Sequence, residues 1–224
     1  MKKQVAVLIV VGGLMGLVAS VYAFDLPGMG GSKSQSTESS GPDAVALQEG
    51  IVRQYNAASA ELLTAQALLA KAFGSKEDAA KAEEEAKALR SGNVSDEDSI
   101  KKTVATSKEI DAKTKEWMGK NVALSDEGRK LYASAFIPYA KAVAGTNKLL
   151  PELKKFSEAA TAQIKSAGLM DALKMKGKLA AGMYLASNLP GHASMLVGTS
   201  KNILTYAKSN NIPLPKDPTG ELHM

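Results

Sequence analysis

From Asp43 onward, apolar and small residues return every three or four positions and keep that period almost to the end of the chain, so the amphipathic α-helix is the regular element these segments can form. Ile51, Tyr55, Ala58, Leu62, Ala65, Leu69 and Ala72 fall on one stripe, and Gly74 ends it. Ser75, with Asp78 three residues on, predicts the start of a second, highly charged helix that stops at Gly92. Ser95 with Asp98 repeats the arrangement, and Ile100, Val104, Ser107, Ile110, Thr114 and Trp117 carry a third stripe towards Gly119. Ser125 predicts the cap of a fourth helix with the aromatic stripe Tyr132, Phe136, Tyr139 and Val143, which Pro138 is expected to kink or restart.

A fifth helix is expected from Leu150-Pro151 to Gly168, with Leu149, Leu153, Phe156 and Ala160 facing inward. A sixth runs from Leu169 to Ser187, a break follows at Asn188-Leu189-Pro190-Gly191, and a seventh covers His192 to Ser209. Beta-branched residues are scattered and no Asn-Gly or Asp-Gly turn occurs, so strands are not expected. The expected fold is all-α: a single antiparallel helical bundle of about six to seven helices over residues 43–209, followed by a Pro-rich C-terminal tail, 210–224. No internal repeat points to a solenoid.

The segment before this domain reads as an address. Lys2 and Lys3 precede the apolar run Val5 to Val18, and Val21-Tyr22-Ala23 offers a small-residue cleavage site, so residues 1–23 are expected to be a signal peptide. An uncleaved anchor is the alternative, although the run is interrupted by Gly12, Gly13 and Gly16 and is shorter than the roughly 20 apolar residues of a spanning helix. Residues 24–42, rich in Gly and Ser, read as a disordered linker, and Phe24-Asp25-Leu26-Pro27-Gly28-Met29 as its unstructured beginning rather than a docking peptide. The expected location is exported, in the periplasm. A chain with no cysteine has no disulfide, thiol chemistry or acylated N-terminal cysteine, so apolar burial must supply its stability.

Charge divides the chain. Residues 24–124 carry 13 Lys and Arg against 16 Asp and Glu, and residues 125–224 carry 13 against 7. The basic half could favour an acidic protein or an anionic lipid, although lysines spread over several helices also make an ordinary solvated face. Catalytic and metal signatures are missing. The two histidines, His192 and His223, have no Glu three residues before them, so a di-iron bundle site is not expected, and His192 reads as a helix-start or surface residue. Glu83-Glu84-Glu85 and Asp96-Glu97-Asp98 lack the alternation of a calcium loop; the first reads as a solvated face near Lys81 and Lys87, the second as a helix's acidic first turn. Ser99-Ile100-Lys101-Lys102 fits a Ser-x-x-Lys string without its companion elements, and no nucleophile elbow, phosphate loop or dinucleotide fingerprint occurs.

Two candidate surfaces remain. Trp117, Tyr132, Phe136 and Tyr139 could line an apolar pocket, or form core. Lys154, Lys155, Lys174, Lys176 and Lys178 could form a basic surface, and the glycine-spaced stretch from Gly168 to Tyr206 with its basic start suits an anionic membrane or a tightly packed hairpin. The expected function is that of a non-enzymatic exported binding or scaffold protein, chaperone-like, acting through a helical surface on another envelope protein. Binding of lipid or another apolar ligand between helices, with contact to an anionic membrane surface, is the alternative. No catalytic residue, metal or cofactor is assigned, and nucleic acid is not an expected partner.

Overall fold

Consecutive buried positions such as Ala58 to Ala60, Leu62 and Leu63, and Ala65 to Ala67 take up most of the circumference of helix α1 (Ala44–Ala72) and leave one narrow exposed strip through Glu49, Arg53, Ala57 and Lys71, so it must lie among the other helices. A computed structural model, which describes residues 42–216 and Thr219, places it there. Around it stand α2 (Lys76–Arg90), α3 (Glu97–Gly119), α4 (Asp126–Ser166), α5 (Leu169–Lys178) and α6 (Ala180–Ser209), six helices and no strand among the described residues. The expected signal peptide 1–23, residues 24–41 of the expected linker, and most of the tail beyond Lys216 lie outside the described residues.

Inter-helix contacts set the directions. Arg90 donates to the Thr64 hydroxyl while Lys71 pairs with Glu83, so α1 and α2 are antiparallel. Gln54 meets Glu152 at 3.1 Å and the Ala44 amide meets the Gln163 side chain at 3.3 Å, so α4 also opposes α1. Asp78 contacts Lys113 and Glu85 contacts Lys102, which turns α3 back along α2. The Tyr132 and Tyr139 hydroxyls donate to the Ile203 and Leu196 carbonyls, each at 3.0 Å, and so α6 opposes α4. Alpha-3 and α6 therefore run parallel, with Lys101 over the Tyr184 ring near their starts. The core has two parts stacked along α1. One holds Tyr55, Ile100, Leu149 and Phe156, the other Leu62, Tyr132, Phe136, Tyr139 and Tyr206.

Several expected boundaries are corrected. The fourth and fifth helices are one 41-residue helix, α4, which continues through both Pro138 and Pro151. Each proline costs about 3 kcal/mol through its missing N–H and ring clash. Tyr132, Phe136, Tyr139 and Val143 around the first, and Leu149, Leu153 and Phe156 around the second, are all buried. At about 1.5–3 kcal/mol for each large buried side chain, staying helical wins. The same reasoning carries α6 through Pro190, where Leu185, Leu189 and Leu196 are buried, so the expected break at 188–191 does not occur. The chain breaks instead at Leu179, whose side chain is fully buried.

The caps differ by single residues. Ser125 accepts from the Gly128 amide at 3.1 Å as expected. Asp96, not Ser95, caps α3, accepting from the Ser99 amide at 2.9 Å. Ser75 precedes α2 but donates its hydroxyl to Asp78 instead of accepting from an amide. Gly74 and Gly92 take positive φ (82° and 76°) as helix-ending residues. Close helix approach depends on two other glycines: a Cβ on Gly145 would stand 2.9 Å from the Ala58 Cβ, and one on Gly182 would stand 2.5 Å from the Phe156 ring. The start of the tail is not free, since Ile212 is buried in the core.

Candidate functional site

The aromatic stripe is packed. Tyr132, Phe136 and Tyr139 are at most 1% exposed, and burial drives both tyrosine hydroxyls far above their ordinary pKa while each donates to a carbonyl of α6. Trp117 is half-buried and does not stack on the stripe directly. It meets Phe73 at 5.4 Å, and Phe73 in turn contacts the Tyr132 and Tyr206 rings at 6.0 and 5.4 Å. Phe73 and Tyr206, missed in the sequence because they sit at the ends of their helices, complete this cluster. The arrangement is core packing, edge-to-face where Phe73 meets Tyr132 and Tyr206 and tilted in the other ring pairs.

The other candidate is differently placed. Alpha-5 buries none of its residues, and Leu169, Met170 and Leu173 are 81%, 67% and 57% exposed. At about 100° per residue these three share one strip, with Lys176 on one flank and Lys174 on the other. The opposite side, through half-buried Met175, rests on the first core cluster. What sets α5 apart is the knuckle at Leu179. Interrupting a helix orphans backbone groups, and the Gln48 side chain satisfies two of them: its amide donates to the Lys178 carbonyl at 2.9 Å and its oxygen accepts from the Gly182 amide at 2.8 Å. A buried leucine and a glutamine of α1 thus hold a short helix with its apolar strip outward.

The structure only partly gathers the five lysines expected to form a basic surface. All are exposed. Lys174 and Lys178 border a groove of about 480 Å³ with Asp43, Gln163 and Asp171. Lys155 borders the neighbouring groove, which shares Gln163 and begins at Pro42. Lys176 lies across α5 beside Met183 and Tyr184, and Lys154 is on the outer face of α4. Lys174 is 3.8 Å from Asp171, too long for a strong pair. The chain enters the described region at this same end, where the Gln163 side chain donates to the Pro42 carbonyl at 3.3 Å.

Buried polar groups elsewhere are structural in character. Glu85 is buried against the Thr103 hydroxyl at 2.6 Å and Lys102 at 3.1 Å, which corrects its expected place on a solvated face. Asp78 lies against Lys113 and Ser75, and Asp111 against Lys115 at 2.7 Å. Each such carboxylate has a lysine, as burial of a charge demands. His192 is an exception and a second correction: it is mid-helix and only 5% exposed, and neither ring nitrogen has a partner. Burial pushes its pKa down to about 4, with Lys108 adding to the effect and Asp111 opposing it.

Comparison with known protein families, characterised proteins and solved structures gives no match for this chain. The site is therefore read from its own chemistry. Among the described residues no group of three or more His, Asp or Glu is placed to hold a metal, and no helix is long and apolar enough to cross a membrane.

Proposed function

We propose that the protein is an exported, non-enzymatic binding protein built on a single helical bundle, and that its contact surface is the α5 end. The observation that carries this reading is the exposure of Leu169, Met170 and Leu173 on one strip, rimmed by lysines. A monomeric surface rarely presents such a set without a use. The polar signals elsewhere support it by default of chemistry: Asp78, Glu85 and Asp111 are neutralised by lysines, and a paired carboxylate is a poor general base. Ligand binding between the helices has less support, because the aromatic side chains that would line the space are packed against α6 and one another.

The test is a photo-crosslinking residue introduced at Leu173 and, as a control, at exposed Glu84 of α2, irradiated in intact cells. The reading expects adducts from position 173 and none above background from position 84. Equal or absent adducts at the two positions would contradict it.

A further inference from the structure

We infer that α5 docks on an anionic lipid bilayer, laying Leu169, Met170 and Leu173 into the boundary between headgroups and acyl chains while Lys174 and Lys176 reach lipid phosphates on either side. This rests on the reading of α5 as the contact surface and names what it contacts. Three observations select a bilayer. The first is charge and shape together: lysines flank the apolar strip on both sides, so their ammonium groups can lie at headgroup level while their aliphatic stems follow the strip inward. Asp171, the acidic residue of the helix, falls on the side away from the strip.

The second is size. Alpha-5 offers three exposed apolar side chains on a helix of ten residues, short of the roughly 20 residues a side that a stable protein interface uses. A bilayer imposes no such demand, since it conforms to whatever enters it.

The third is where the chain comes in. Pro42 is held by Gln163, and Asp43 shares a groove with Lys174 and Lys178, so everything N-terminal to Pro42 is attached beside α5. That sequence carries the apolar string Phe24 to Met29 and, where residues 1–23 are kept as an uncleaved anchor, the apolar run Val5 to Val18 behind Lys2 and Lys3. A short amphipathic helix binds a membrane weakly and reversibly, and firm attachment takes a second signal. The chain leaves the described domain beside α5, so an anchor N-terminal to Pro42 would be tethered at the α5 end. Alpha-5 then sets which face of the domain meets the lipid.

The absence of cysteine makes a single introduced thiol unique. Met170→Cys in the full chain, labelled with a polarity-sensitive fluorophore, is mixed with vesicles of phosphatidylcholine alone or with about a third phosphatidylglycerol; Asn202→Cys on the far half of α6 is the control. The expected result is a blue shift at position 170 on the anionic vesicles only, abolished by high salt, and no shift at position 202. Replacing Lys174 and Lys176 with Gln lowers the apparent affinity about fivefold per lysine, on the order of 25-fold in all. No shift at position 170 on anionic vesicles overturns the inference, including where the protein sediments with them through its N-terminal segment. A shift that grows with protein concentration in the absence of lipid assigns the strip to a second copy, and protein-only adducts from position 173 in cells assign it to a protein; either result overturns the bilayer and leaves the surface reading standing. Silence in all of these ends both.

Discussion

Replacing His192 with Leu should stabilise the protein and remove most of its sensitivity to mild acid. The imidazole is buried in mid-α6 with both nitrogens unpartnered, and its pKa is pushed from 6.5 to about 4, first by burial and then by Lys108. In the unfolded chain the same group titrates near its ordinary value. Between these limits the unfolded state binds a proton that the fold refuses, so the neutral-pH stability is complete above pH 6.5, falls as pH drops through the window to 4, and falls no further from this group below it. At about 1.4 kcal/mol per unit, the loss across the window is about 3 kcal/mol. Leucine has a similar volume, no proton to gain and no orphaned polar atom, so at pH 7 the variant should also gain about 1–3 kcal/mol. Asp78 and Glu109 destabilise the fold in acid in both proteins. Burial pushes Asp78 upward but Lys113 and Ser75 outweigh it, and Lys81 with Lys113 hold Glu109 low. Their contributions cancel in the difference. Urea unfolding followed by circular dichroism from pH 7.5 to 4 should therefore show a gap that widens with acid. Parallel curves, or a variant less stable at every pH, would refute the reasoning.

Other perturbations follow from the packing. Gly145→Val drives side-chain atoms into Ala58, whose Cβ would already lie 2.9 Å from a Cβ at that position, and should cost about 1–3 kcal/mol in the urea midpoint. Pro151→Ala restores a backbone donor within α4 and should stabilise by about 2 kcal/mol, once the looser unfolded chain is allowed for. Ile212→Ala, in a segment whose sequence promises only a tail, should destabilise by about 2–5 kcal/mol in the same assay because its side chain is buried in the core.

The helical class, the first three stop signals and the Ser125 cap were legible because they depend on residues within one turn of each other. Helix continuity through Pro138, Pro151 and Pro190 was not. A proline's penalty is local, while the burial that outweighs it comes from α1 and from α6 or α4, dozens of residues away. His192 was misplaced for the same reason, since beside Pro190-Gly191 it resembles a helix start. Glu85 looked solvated next to Lys81 and Lys87, but its partners are Thr103 and Lys102 across the α2–α3 turn. The lysines of α5 were visible, whereas the outward face of Leu169, Met170 and Leu173 was not. Their phase matches a buried stripe, and only the knuckle at Leu179, pinned by Gln48 from the other end of the chain, turns them to solvent.

Amide hydrogen exchange across residues 169–178, with and without anionic vesicles, addresses the role of this helix most directly. Alpha-5, which buries no residue, should exchange much faster than α1 in solution and slow markedly on the vesicles, while α1 stays unchanged. Exchange of α5 as slow as that of α1 in the free protein, or unaltered by lipid, would contradict the account.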